Sequence, residues 1–172
     1  VGKVQGNGDP LAPCSHIATR ADLEITVDQD GQFIKADAVD KSEPKIVIPA
    51  TEESAGRTSG ACAHPLCDQL QYLAPCGGKR HMKYLQQLRA WESSAYSHPK
   101  LRPILRYVEG GTILSDLQRA GKVDLSESGV PKNERLLVRW YVVGLGEDSG
   151  PCWTDTALFQ AFDAYYRATK SK

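Results

Sequence analysis

No run of apolar residues in the 172-residue chain approaches the roughly 20 needed to cross a bilayer, and none near Val1 resembles the apolar core of a secretion signal. An excess of charge is missing too: 21 basic against 21 acidic side chains give a net charge of zero. That balance excludes a uniformly basic, histone-like coat for nucleic acid. It leaves local binding open, because only nearby charge acts on a phosphate. Catalytic signatures are equally scarce. The sequence has no G-x-S-x-G elbow, no Walker-type phosphate loop, no H-E-x-x-H pair and no C-x-x-C redox motif. Gly144-Leu145-Gly146 opens like a dinucleotide motif, but Asp148 and Pro151 follow it instead of a suitably placed third glycine. Glu52-Glu53 and Glu147-Asp148 lie in polar stretches, as exposed carboxylates do, and His98-Pro99 reads as a helix entry. The expectation is a non-catalytic protein without a membrane segment.

Five cysteines are present: Cys14, Cys62, Cys67, Cys76 and Cys152. An odd, irregularly spaced set in a chain long enough to build a core fits free thiols in a reducing cytoplasm, with no cofactor. The alternative is a zinc site drawn from Cys62, His64, Cys67 and Cys76, with His81 nearby. The four-residue gap between Cys62 and Cys67 is permitted, whereas Cys76 with His81 is not a standard pair. Such a site would define a zinc-stabilised protein-interaction module. A thiol nucleophile at Cys67 or Cys62 is a third reading and needs a strongly depressed thiol pKa.

The pattern along the chain is that of one α+β domain. Residues 1–20, with Gly2, Gly6, Gly8, Pro10 and Pro13, read as an irregular leader. The strict alternation from Leu23 to Val27, then Asp28-Gln29-Asp30-Gly31, predicts a β-hairpin near 21–39. Further strands are expected near 45–48, between Pro44 and Pro49, and near 135–143. The small sheet so formed is expected to be antiparallel, with several helices packed on it. Residues 51–78 lose all periodicity and form a long loop or a loop with short helical turns; unstructured segments of that length inside a domain tend to be functional. A helix is expected over residues 79–94, with Met82, Leu85, Leu88 and Trp91 as its apolar side. A second follows Pro99, with Leu101, Ile104, Leu105 and Val108 as its stripe; a third runs from Thr112 to Ala120. The last is capped by Thr154, with Trp153 packed on Leu158 as a staple. Tyr72 and Trp91, as helix-face aromatics, are expected in the core rather than stacked on a base.

Splitting the charge by position is more informative than the total. Residues 1–50 hold five basic and eight acidic side chains, whereas residues 57–106 hold eight basic and only Asp68 and Glu92 as acids. Lys79, Arg80 and Lys83 fall at the start of a helix, where the macrodipole gives cations no help. A basic segment that begins in a Gly/Ser-rich loop suits a partner carrying negative charge.

The loop carries Arg57-Thr58-Ser59-Gly60, then Pro65-Leu66-Cys67-Asp68-Gln69, then Tyr72-Leu73. In these motifs the chain resembles the large subunit of the type I-C CRISPR surveillance complex (Cascade), whose members carry R-T-S-G, a short spacer and a P-x-(F)-L-C-D-N-x-x-Y-L-type segment. The strand and D-x-D-G hairpin before the motif fit, as do Leu137 to Trp140 and Trp153 to Tyr166 after it. Gln69 stands where the family usually has Asn, and Leu66 lies close to a common aromatic position. Family members are several times longer, so the resemblance implies an N-terminal domain of a longer subunit, spanning residues 1–172.

It also implies a non-catalytic role in antiviral defence. The subunit would read the protospacer-adjacent motif on double-stranded target DNA, help open the duplex, and mark a guide-RNA-containing complex for a separate helicase-nuclease. A phage anti-CRISPR protein is a further partner implied for the same face. DNA contacts are then expected from Arg57, Thr58, Ser59, Gly60, Gln69, Lys79, Arg80 and Lys83, with Cys67, Asp68 and Tyr72 organising the loop.

Overall fold

Leu23-Glu24-Ile25-Thr26-Val27 forms strand β2 (Leu23–Val27), with Leu23, Ile25 and Val27 buried as the alternation requires. The Asp28 carboxylate accepts the backbone N–H groups of Asp30 and Gln32, each at 2.9 Å, and so turns the chain into β3 (Phe33–Ala38). The two strands pair antiparallel. A computed structural model describes residues 15–58 and 60–170; most of the expected leader and Ser59 lie outside them. Within the described part of that leader, His16–Thr19 is not irregular. It is strand β1, antiparallel to β4 (Ile46–Pro49), and the two make a separate two-stranded sheet.

The principal sheet has the order β3-β2-β5-β6, where β5 is Val138–Val142 and β6 is Gly150–Pro151. β5 runs parallel to β2, so this sheet is mixed rather than antiparallel throughout. The cause is the connection. More than a hundred residues separate the two strands in sequence, and a helical crossover brings the chain back to the starting edge of the sheet in the same direction.

The helices are α1 (Glu52–Ala55), α2 (Leu70–Leu73), α3 (Lys79–Glu92), α4 (Leu101–Glu109), α5 (Ile113–Arg119) and α6 (Thr156–Lys170). α3 buries Tyr84, Leu85, Leu88 and Trp91, while Met82 is 59% exposed. The expected spacing of three explains the miss. At about 100° per residue, Met82 stands roughly 180° from Trp91, on the opposite side of the helix. α4 buries the whole expected stripe. The start of α6 differs in detail: the Asp155 carboxylate, not Thr154, accepts the Leu158 N–H at 3.0 Å. Trp153 is half-buried against the core and carries the Arg139 guanidinium 4.0 Å over its ring.

Candidate functional site

Residues 57–69 are held from the inside by one carboxylate. Asp68 has no exposed surface, and it accepts four hydrogen bonds. Arg57 supplies two, Nη1 at 3.0 Å and Nη2 at 2.6 Å; the backbone N–H groups of His64 and Gln69 supply the others, each at 2.7 Å. A buried carboxylate is tolerable only when it is matched this fully. Arg57 also donates to the Cys62 carbonyl at 2.7 Å and sits 4.5 Å over the Tyr72 ring. Burial alone would lower the Arg57 pKa, but the Asp68 contacts outweigh it and the pKa is raised.

Three aromatic side chains fix the rest of the loop. The Tyr72 hydroxyl accepts the Cys62 N–H at 3.3 Å and donates to the Gly60 carbonyl at 3.4 Å. The Leu66 carbonyl takes Tyr84 Oη at 2.6 Å from α3 and Trp140 Nε1 at 2.9 Å from β5. Tyr72 and Trp91 are therefore core residues, as expected.

Before the loop, Thr51 and Ser54 form a reciprocal capping box on α1, with bonds of 2.9 and 3.0 Å. His64 Nδ1 joins it, 2.8 Å from Ser54 Oγ. Burial pushes His64 down to about 4, against the opposing pull of Asp68.

The cysteines and histidines are spread through this scaffold rather than gathered. His81 Nδ1 bonds the Tyr72 carbonyl at 3.0 Å, Cys67 is buried and Cys76 is exposed. Among the described residues no three His, Cys, Asp or Glu side chains are placed to hold a metal ion. The zinc alternative needs Cys62, His64, Cys67 and Cys76 to converge, and they are not brought together at one point among the described residues. Burial raises the Cys67 thiol to about 12, and burial with the Glu53 charge raises Cys62, opposite to what a nucleophile requires.

The outer part of the loop is a ridge between two clefts. The first, of about 250 Å³, is lined by Arg57, Thr58, Gly60, Gln69, Gln71, Tyr72, Arg80, Glu134 and Arg135. The second, of about 400 Å³, is lined by Ala61, Cys62 and Ala63 with Thr51, Glu53, Lys83, Gln86 and Gln87. The expected contact set is therefore split. Thr58, Gly60, Gln69 and Arg80 share the first cleft, Lys83 faces the second, and Lys79 is exposed nearby on α3. Arg57 borders the first cleft, but its donors are directed inward, so it joins Cys67, Asp68 and Tyr72 as an organiser of the loop.

Gln71, Glu134 and Arg135 were not expected. Backbone pairing brings them in: Gln71 N–H bonds the Glu134 carbonyl at 2.9 Å, Leu70 N–H bonds the Leu136 carbonyl at 3.0 Å, and Gln69 bridges Leu137. Gln71 Nε2 donates to Gln69 Oε1 at 2.5 Å. That bond leaves the Gln69 amide nitrogen and the Gln71 amide oxygen as donor and acceptor at the cleft. The only early signal for Arg135 was its place at the start of an expected strand.

A family model described as CRISPR-associated protein (Cas_Csd1) matches residues 2–172. No curated protein matches the chain.

Proposed function

Because the chain belongs to the Cas_Csd1 family of CRISPR-associated proteins, we propose that it is a non-catalytic recognition domain of a type I-C surveillance complex in the cytoplasm. In this reading it binds target duplex DNA, reads the protospacer-adjacent motif, assists strand opening and helps recruit a helicase-nuclease. The cleft that unites Thr58, Gly60, Gln69 and Arg80 beside a rigidly locked loop carries the proposal.

Guide pairing reads the long sequence in such complexes, and the protein needs to read only a short motif and duplex shape. Gln69, its amide oriented by Gln71, presents its amide nitrogen as a donor suited to a base edge. Arg80 and Arg135 line the same cleft, Lys79 is exposed nearby on α3 and Lys83 faces the second cleft; none of the four has an ion-pair partner among the described residues, which leaves them available to phosphates. The ridge that carries Gly60, Ala61 and Cys62 stands as a wedge where the duplex first parts. A phage anti-CRISPR protein that mimics DNA charge would compete for the same cleft.

The test is a gel-shift titration of the reconstituted complex on matched and scrambled motifs at two salt concentrations. Gln69→Ala is expected to lose the preference for the matched motif. Lys79→Ala with Arg80→Ala is expected to weaken both duplexes equally. Unchanged binding in both variants would sink the reading.

A further inference from the structure

β3 is an outer strand of the principal sheet. Among the described residues it pairs with β2 alone. Val39 N–H donates to the Asp22 carbonyl at 3.0 Å, while Leu23 N–H turns the other way, to the Leu137 carbonyl at 3.1 Å. Alternate residues of an antiparallel ladder bond to the partner strand. Lys35, Asp37 and Val39 therefore face β2, and Ala36 and Ala38 turn their N–H and C=O groups outward, where no described strand meets them. The side chains leave this edge open as well: Ile34 is 50% exposed and Ala38 is exposed. Lys35 and Asp37 pair with each other at 3.4 Å on the polar face of the sheet. That lysine and the register shift at Thr26/Val27 discourage indiscriminate pairing and leave room for a selective partner.

A hollow lies at each end of this strand. At its start, Gln32 and Phe33 line one of about 450 Å³ together with Arg106, Thr112, Asp116 and Arg119. At its end, Ala38 and Val39 line one of about 310 Å³ together with Leu23, Leu136 and Lys122. α5 links the two, since its Asp116 and Arg119 belong to the first hollow and Lys122, just past its end, to the second. Both walls balance in charge. Arg106 and Arg119 stand against Asp30 and Asp116 in the first, and Arg20, Lys41 and Lys122 against Asp22, Asp40 and Glu43 in the second. A phosphate backbone finds no excess of cations there. A polypeptide main chain is neutral and alternates donors with acceptors, which matches both the outward groups of β3 and the balanced walls.

We infer that the outer edge of β3 takes an extended segment of a neighbouring protein subunit, added as a further strand whose side chains seat in the two hollows. Five strand steps separate Phe33 from Ala38, about 17 Å, so a segment of roughly six residues spans both hollows. Its side chains alternate between two environments. Those on the Ala36 side meet the hollows and are apolar where Leu23, Val39 and Leu136 form the wall. Those on the side of the Lys35–Asp37 pair are polar. Strand addition of this kind draws affinity from the main chain and specificity from the alternate side chains. The contact needs only a protein neighbour, and it stands or falls apart from the nucleic-acid reading above.

The test measures backbone hydrogen exchange over residues 33–39 in the chain alone and in the assembled complex, together with the affinity of the chain for the remaining subunits. Exchange over this stretch is expected to slow about tenfold on assembly, before any target duplex is added. Ala38→Pro removes an outward N–H and no bond to β2. It is expected to weaken assembly about tenfold, whereas Ala38→Ser, which keeps the N–H, should assemble normally. Ile34→Lys alters a half-exposed position and should also weaken assembly, because an edge lysine opposes strand addition. That variant decides the matter if the proline variant melts early. Unchanged exchange on assembly overturns the proposed contact, and so does full assembly of the Ile34→Lys chain or of a folded Ala38→Pro chain. Slowing in the chain alone as its concentration rises gives the edge to a second copy and overturns a neighbouring subunit as its occupant. Slowing that appears only with target duplex overturns it too, since the edge would then answer to nucleic acid.

Discussion

The guanidinium of Arg57 and the carboxylate of Asp68 meet through two parallel hydrogen bonds of 2.6 and 3.0 Å, with Asp68 wholly buried. This pair, eleven residues apart, turns a Gly/Ser-rich stretch into a shaped ridge. The R-T-S-G and C-D elements of the motif are thus two halves of one internal contact. Breaking a buried pair by removing one partner costs about 3–5 kcal/mol, because the survivor is left uncompensated. Arg57→Ala is expected to lower stability by that order in urea titration, since it strands a buried carboxylate. Arg57→Lys should recover only part of the loss, as an ammonium lacks the planar fork. A change below about 1 kcal/mol for Arg57→Ala, the worth of an exposed pair, would contradict the role assigned to this contact.

Acid should loosen the fold at two places, the loop through His64 and β1 through His16. Burial holds His64 and His16 at about 4, from 6.5 in the unfolded chain. Between those values the unfolded state binds protons that the folded state refuses, so stability is complete above about 6.5 and falls as pH drops toward 4. The slope approaches about 1.4 kcal/mol per pH unit for each histidine. Urea midpoints measured across this window should decline for the unaltered chain and decline less steeply for His64→Gln. Identical slopes for the two would remove His64 as a source of the effect.

Two glycines near the cleft are expected to respond differently to alanine. At Gly77 a Cβ would lie 1.8 Å from the Gln71 carbonyl oxygen, so the turn Pro75–Gly77 must move off the residue that bonds Gln69. Gly60 has φ +84° with open space around it, and alanine there meets only backbone strain, roughly 1–2 kcal/mol. Gly77→Ala should therefore be the more destabilising in thermal melting and should also weaken duplex binding. A milder effect at Gly77 than at Gly60 would show that the turn yields easily.

The sequence exposed the local features and hid the long-range ones. The β2–β3 hairpin, the stripe of α4 and the suspicion attached to residues 51–78 follow from alternation, helical spacing and the loss of both. Asp68 was legible as a loop organiser because an unpaired carboxylate would be repelled by DNA. What Arg57 does was not legible, since a cation in a Gly/Ser-rich loop looks the same whether it faces solvent or turns inward. Parallel pairing of β2 with β5, and with it the arrival of Glu134 and Arg135 beside Gln71, depends on contacts more than sixty residues apart in sequence. No local pattern records these. Met82 was misplaced for a simpler reason: steps of three drift around a helix whose period is 3.6.

Gln71 supplies the sharpest test of the cleft, because its role in the proposed reading is to aim Gln69 rather than to touch a base. Its amide nitrogen occupies Gln69 Oε1 at 2.5 Å, which fixes which way the Gln69 amide faces. A well-oriented amide against one base is worth about 1–3 kcal/mol of discrimination. Gln69→Ala should remove discrimination of that order between matched and scrambled motifs. Gln71→Ala should remove part of it, with little change in affinity for scrambled DNA. In the double variant the losses should not add, since Gln71 acts only through Gln69 and has nothing to aim once Gln69 is gone. Discrimination measured for all four proteins in the assembled complex completes the cycle. Strict additivity would mean that the two amides act separately, and the proposed pairing of reader and positioning residue would be wrong.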